Sequence, residues 1–137
     1  MTSFLLDTCT LSEGVHGPAD AGVEEWTLRT ADSDRYTSVI CLAEVQYGIW
    51  RLPRGKKRTH LVSWYQSKLR PSFDARILAF AEQEATMWAA LRAEYPNAKN
   101  NDAQIAATAL VNGMVLITRN VKDFAFKGLS VFNPWRR

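Results

Sequence analysis

Apolar residues along the chain switch repeatedly between short uninterrupted runs and runs spaced every three to four positions. The first run, Phe4-Leu5-Leu6, stops at Asp7 and predicts a buried strand, with Thr8 to Leu11 as the turn into the next element. From Pro18 the spacing of Ala19, Val23, Trp26 and Leu28, with Glu24 and Glu25 between them, predicts an amphipathic helix with proline in its first turn. A polar stretch, Asp32-Ser33-Asp34, ends it. Tyr36 to Ile40 is rich in aromatic and β-branched residues and predicts a second strand. Leu42 to Leu52 then reads as a helix through Leu42, Val45 and Ile49, closed by Pro53.

Arg54 to Arg58 opens a further helix marked by Leu61, Val62, Trp64, Tyr65 and Leu69, which Pro71 is expected to stop. A short strand is expected near Arg76-Ile77-Leu78. Ala81 to Tyr95 predicts a helix with Ala81, Ala85, Trp88 and Leu91 on its apolar face and Glu82, Glu84 and Arg92 on the wetter side. After the polar loop Pro96 to Asn101, Asp102 is expected to cap a helix that runs through Ile105, Ala106, Ala109 and Leu110 to Asn112-Gly113. Met114 to Thr118 has no polar face, as in a parallel strand covered on both sides, and Ser130 to Phe132 offers a last strand. Strands alternating with more numerous helices predict a three-layer α/β/α domain with a small, mainly parallel central sheet, spanning residues 1–137 as one unit.

Composition narrows the class. With 47% hydrophobic and 23% charged residues the chain has the balance of a globular protein, and its length allows a core that needs no disulfides. The cysteines, Cys9 and Cys41, show no C-x-x-C spacing, which favours a reducing compartment. The first residues lack the basic and long apolar regions of a signal peptide, and no run is long enough for a membrane span. A cytoplasmic protein without a membrane partner is expected. The net charge of +3 is a mild hint of a nucleic-acid partner.

The acids carry more information than the charge. Asp7 ends the first predicted strand, Glu44 follows the second, Asp102 starts a helix, and Asp123 lies just past the strand ending at Thr118. The carboxyl ends of parallel strands share one edge, so these four acids can meet in one cleft. Singly, each has an ordinary explanation: a turn, a helix-dipole partner, an N-cap, a surface acid. Together they repel one another unless a cation is present, and oxygen-only ligands select Mg²⁺ or Mn²⁺ over Zn²⁺. Such a centre suits phosphodiester hydrolysis. Thr118 and Asn120 can support it, and Arg119 can meet phosphate. Arg54, Lys56, Lys57 and Arg58, with Arg51 a turn earlier, can guide an RNA backbone toward the cleft, although solvated charge is the commoner meaning of such a run. His16 and His60 read as surface residues, and Trp26, Trp50, Trp64 and Trp88 as core or interface.

Four ordered blocks carry a family resemblance: Leu5 to Thr8, Ile40 to Gly48, Asn101 to Ala109 and Leu116 to Phe124. In order and spacing they resemble the PIN domain over nearly the whole chain. Leu11-Ser12-Glu13 and Val131 to Trp135 are similar to the VapC/FitB-like toxin branch. The resemblance implies that Asp7, Glu44, Asp102 and Asp123 are metal-binding acids of a Mg²⁺- or Mn²⁺-dependent endoribonuclease, with Thr118 and Asn120 in support. It also implies an RNA substrate such as tRNA or rRNA, a VapB-like antitoxin partner, and a homodimer that assembles further with the antitoxin. Two positions depart from the pattern: Asn120 stands where aspartate is common, and Cys9 where asparagine or serine is common. A non-cleaving RNA- or partner-binding domain and a housekeeping RNA-processing nuclease are the nearest alternatives. An aspartyl-phosphate phosphatase lacks its second acid at Cys9, and a receiver-like domain lacks its lysine at Thr118.

Overall fold

The computed structural model describes residues 2–136. Its strands are β1 (Phe4–Leu6), β2 (Arg35–Ser38), β3 (Ile77–Leu78), β4 (Val115–Ile117) and β5 (Val131–Phe132). Its helices are α1 (Thr8–Leu11), α2 (Ala21–Arg29), α3 (Val39–Trp50), α4 (Lys56–Trp64), α5 (Arg70–Ser72), α6 (Glu82–Glu94) and α7 (Asn100–Val111). All strand pairs are parallel, in the order β3-β2-β1-β4-β5, and helices flank the sheet in three layers. The expected α/β/α architecture is therefore present. Among the described residues no helix is long and apolar enough to cross a membrane.

Chain order dictates where a cleft must open. From β1 the chain moves outward to β2 and β3, then returns through α6 and α7 to lay β4 on the other side of β1. The connections after β1 and β4 therefore leave in opposite directions, which opens a crevice above their carboxyl ends. Leu5 pairs with Leu116 and Leu6 with Ile117, so Asp7 and Thr118 emerge side by side at that crevice. Leu5, Leu116 and Ile117 have no exposed surface, consistent with strands covered on both faces. Ala103, Ala106, Ala107 and Ala109 are also fully buried, and their small side chains let α7 lie close against the core.

Local chemistry moves several expected boundaries. Asp20, rather than Pro18, starts α2, because its carboxylate accepts from the Gly22 and Val23 N–H groups at 2.8 and 3.3 Å, satisfying donors that proline leaves bare. Leu28 does not join the buried stripe of that helix and is 81% exposed. Strand β2 ends at Ser38, whose hydroxyl accepts from the Cys41 N–H at 3.1 Å, so Val39 and Ile40 are helical despite their β-branched side chains. The cap outweighs propensity here.

Pro71 does not stop the helix begun at Lys56. A widened turn over Tyr65–Leu69, in which the Arg70 N–H reaches the Tyr65 carbonyl, carries helical backbone on to Ser72. Such a turn changes the i−4 geometry that a proline ring otherwise crowds. Glu84 is buried rather than wet, because its carboxylate accepts from the Ala81 N–H at 2.9 Å and closes the start of α6. His16 and His60 are exposed, as expected.

The end of the chain is seated on the start of α2. Asp20 accepts a further hydrogen bond from the Arg136 N–H at 3.1 Å, and the Pro134 carbonyl closes over Gly22. A Cβ at Gly22 would lie 2.2 Å from that oxygen. Gly22→Ala gains at most about 1 kcal/mol of helix propensity, whereas overpacking against backbone costs about 1–3 kcal/mol. The clash wins. The substitution is expected to lower the melting temperature and to free Asn133 to Arg136 for faster carboxypeptidase trimming; an unchanged melting temperature and trimming rate would contradict this packing.

Candidate active site

Asp7 leaves β1 into the crevice with its carboxylate shared among neutral donors. The Thr8 N–H donates to Oδ1 at 2.6 Å, and the Thr118 hydroxyl donates to Oδ2 at 2.7 Å. The Cys9 thiol lies 3.6 Å from Oδ2. The side chain is buried. Burial, more than any neighbour, raises its pKa, and the hydrogen bond from Thr118 is the largest opposing effect. Neutral donors hold the group in place without cancelling its charge.

Glu44 approaches from the second turn of α3, half-buried, and is gripped at both oxygens. The Thr8 hydroxyl donates to Oε1, and the Asn101 amide donates to Oε2 at 2.9 Å. Asp102 comes from the first turn of α7. It does not cap that helix: Lys99 takes the cap position, and Asp102 sits two residues into the helical run with its carboxylate free for the cleft. Asp123 is exposed on a 3-10 turn, Val121–Phe124, that follows β4. All four acids line one cleft of about 830 Å³.

Electrostatics ties them together. Asp102 has its pKa raised to about 6, first by burial and then by the charges of Asp123, Asp7 and Glu44, with Lys99 opposing. An acid that senses three others is held among like charges. The four do not form a ready-made cage: among the described residues no three ligand side chains stand at metal-holding spacing. The donors they offer are oxygen throughout, the type that hard cations such as Mg²⁺ and Mn²⁺ take. Asp7, Glu44, Asp102 and Asp123 are the side chains able to hold such an ion.

The supporting polar residues are built into the same edge. Thr118 is fully buried, and its hydroxyl also accepts from the Asn120 N–H at 3.0 Å, which turns the chain from β4 toward Asp123. Asn120 itself lines the cleft. Cys9 stands between Asp7 and Thr118, accepts from the Arg119 N–H at 3.5 Å, and has its thiol pKa raised by burial and by Asp7. It is a thiol rather than a thiolate. Cys41, wholly buried, is pushed up to about 12.

The basic residues are only partly gathered. Arg51 lines the cleft, and Lys57 borders a smaller adjoining hollow beside Glu44 and Gly48. Arg54 and Arg58 instead line a separate hollow with Trp50, and Lys56 is exposed at the start of α4. Arg119 turns its guanidinium over Trp135, 5.9 Å from the ring centre. Sequence reasoning missed Thr8 and Asn101 as the groups that hold Glu44, and Lys99 and Tyr47 as cleft residues. Helical spacing offered a signal for Tyr47 and Arg51, which follow Glu44 by three and seven positions on one helix. Asn101 carries no such pattern, because its contact crosses from α7 to α3.

Comparison with known proteins bears on the family and the fold. A family model described as PIN domain matches residues 4–127. The chain is 36% identical over 136 residues to plasmid stability protein StbB of Pseudomonas syringae pv. tomato, covering 96% of this chain and 98% of the relative. It is 30% identical to VapC ribonuclease Y4jK of Sinorhizobium fredii, with 96% and 97% covered, and 33% identical to toxin FitB of Neisseria gonorrhoeae, with 96% and 98% covered. A solved structure of FitAB bound to an IR36 DNA fragment is similar with a TM-score of 0.88 and 32% identity, over 98% of this chain and 96% of that one.

The load on Asp102 makes metal-free stability depend on pH in a definite direction. Its folded pKa lies above the ordinary 3.8, so the folded state holds the proton more tightly than the unfolded chain does. Its favourable contribution is complete below pH 3.8 and is lost as pH rises through about 6. In EDTA, Asp102→Asn is expected to be more stable than the parent protein near neutrality, with the advantage shrinking as the pH falls below 6. Thermal melts across that range check this; a constant difference between the two proteins would show that Asp102 is not charge-strained.

Proposed function

The chain belongs to the PIN-domain family, and from that premise we propose that it is a Mg²⁺- or Mn²⁺-dependent endoribonuclease serving as the toxin of a VapBC-like toxin–antitoxin pair. The observation that carries the reading is Asp102, whose carboxyl is raised to about 6 by burial and by three neighbouring acids in one cleft. A protein that sets Asp102 among three other acids in one cleft has a use for a cation there. The names VapC ribonuclease and toxin FitB borne by relatives of matching length support the nuclease and toxin assignments. The FitAB complex supports a VapB-like antitoxin as partner, and a homodimer of this chain as the base of that assembly is part of the same proposal.

Asp7, Glu44, Asp102 and Asp123 are the proposed holders of the metal, which when bound neutralises phosphate charge and activates water for attack at phosphorus. The chain's own residues prepare the place. Thr118 and Thr8 fix the direction of Asp7, and Thr8 with Asn101 fixes Glu44. Held carboxylates need little reorganisation when charge arrives. Arg51 and Lys99 at the cleft give the polyanionic strand a favourable approach, and Asn120 offers a neutral polar contact beside Asp123. Hydrolysis places the water oxygen on phosphorus, breaks the bond to the bridging oxygen, and returns a proton to that leaving oxygen.

The deciding experiment incubates the purified protein with total bacterial RNA in Mg²⁺ or Mn²⁺, in EDTA, and beside Asp7→Asn. Discrete fragments are expected only with metal and intact Asp7. The Asp7→Asn rate should fall by more than about a hundredfold, since even residues behind a metal ligand are worth 10–100-fold. Folded wild-type protein that leaves every RNA intact would overturn the nuclease reading. A separate thermal measurement expects millimolar Mn²⁺ or Mg²⁺ to raise the melting temperature of the parent protein, through binding that only the folded cluster provides, and to raise that of Asp7→Asn much less.

A further inference from the structure

Beyond the carboxylates, the wall of the cleft formed by α3 carries a feature that metal chemistry does not require. Tyr47 is 65% exposed and Trp50 is 57% exposed, although the protein has an ample buried core in which to place aromatic rings. Each ring has an arginine on one face: the Arg51 guanidinium lies 5.2 Å from the centre of Tyr47, and that of Arg58 lies 4.7 Å from the centre of Trp50. One face of each ring is thus backed by charge while more than half of the side chain stays open. Among the described residues, Arg51, Arg54 and Arg58 make no ion pair with an acid.

Position joins this surface to the acids. Tyr47 and Arg51 line the same cleft as Asp7, Glu44, Asp102 and Asp123. Tyr47 follows Glu44 by three residues on α3, about 4.5 Å along the helix axis. Trp50 follows Tyr47 by the same step, and Arg54 and Arg58 flank it. The anionic centre therefore adjoins Tyr47 and Arg51 within one cleft, and Trp50, one helical step farther on, borders a neighbouring hollow with Arg54 and Arg58.

We infer that Tyr47, backed by Arg51 and continued by Trp50 over Arg58, is a stacking platform for unpaired nucleobases of RNA at the mouth of the carboxylate cleft. The inference rests on the nuclease reading of that cleft. Charge selects the occupant: a strip with several arginines and no acid of its own matches a polyphosphate backbone. Geometry selects single-stranded RNA, because a base can cover an open ring face only when it is free of its own stack, and proteins that hold single strands combine cationic grooves with such rings. A base resting on Tyr47 leaves its neighbouring phosphate within reach of Arg51 and directs the strand toward Glu44. Tyr47 then acts as a positioning residue, with no part in the bond-breaking step.

The test uses the full-length protein in EDTA at low salt, so that binding is measured without cleavage. The probe is a short oligouridylate containing one 2-aminopurine, whose fluorescence falls when it stacks on an aromatic ring. Wild type is expected to bind and quench it. Tyr47→Ala and Trp50→Ala should each weaken binding by about five- to hundredfold and reduce the quench, whereas Tyr47→Phe keeps both. With metal and cleavable RNA, Tyr47→Ala should raise KM far more than it lowers kcat, in samples whose melting temperatures match the parent.

Unchanged affinity in Tyr47→Ala would overturn the platform, as would an equal loss in Tyr47→Phe, which would assign the effect to the hydroxyl. Conversion of a dimer to a monomer by Tyr47→Ala, with oligonucleotide affinity intact, would give the face to a second copy of the chain and also overturn it. Loss of antitoxin binding with oligonucleotide affinity intact would give the face to that protein and overturn the platform in the same way. Wild type that binds with ring-dependent quenching but cuts no RNA when metal is added would overturn the nuclease reading and leave the platform standing.

Discussion

Four carboxylates within one crevice repel one another, and much of the surrounding structure serves to hold them there. The restraint comes from neutral groups. Asp7 is gripped by a backbone N–H and the Thr118 hydroxyl, and Glu44 by the Thr8 hydroxyl and the Asn101 amide. A lysine or arginine in any of those places would neutralise the acid and occupy its lone pairs with a permanent ion pair. Hydroxyls and amides orient the oxygens while leaving their charge available. Burial first, and the neighbouring acids after it, raise the pKa values of Asp7 and Asp102.

The sheet supplies the other half of the restraint. Because β1 and β4 pair directly while their outgoing connections diverge, Asp7 and Thr118 project into the same opening from adjacent strands. Each is anchored by buried leucine and isoleucine one residue earlier. α3 and α7 then bring Glu44 and Asp102 from separate crossovers. No pair of these acids is close in sequence, so the site exists only when the whole fold does. The cleft and its core are one cooperative object, and the stability of the metal-free protein is coupled to the charges it gathers.

Much of this is legible in the sequence, for reasons that differ by residue. The alternation of short apolar runs with helical spacing is a direct image of a parallel sheet covered by helices, so the strands at Phe4, Ile77, Val115 and Val131 fall close to their expected positions. The four acids stand out because each follows a strand or opens a helix. Boundaries are less legible wherever one side chain outweighs an average tendency. Ser38 turns a β-branched pair into helix by capping, Asp20 displaces Pro18 as the start of α2, and the wide turn at Tyr65–Leu69 allows helix to pass Pro71. Glu84 has the look of a solvent-facing acid because its burial depends on a bond to a backbone N–H. Asn101 escapes notice for a related reason: its bond to Glu44 is set by the packing of α7 against α3, and no local periodicity records it.

The two outer strands bear on how this protein meets other chains. β3 and β5 are each only two residues long, so neither margin of the sheet offers more than a short row of open peptide groups. A neighbouring polypeptide cannot extend the sheet by any useful length, which protects a molecule of this architecture against runaway fibrous aggregation. It also confines productive association to side-chain surfaces, where shape and charge can discriminate between partners in a way that a bare peptide ladder cannot.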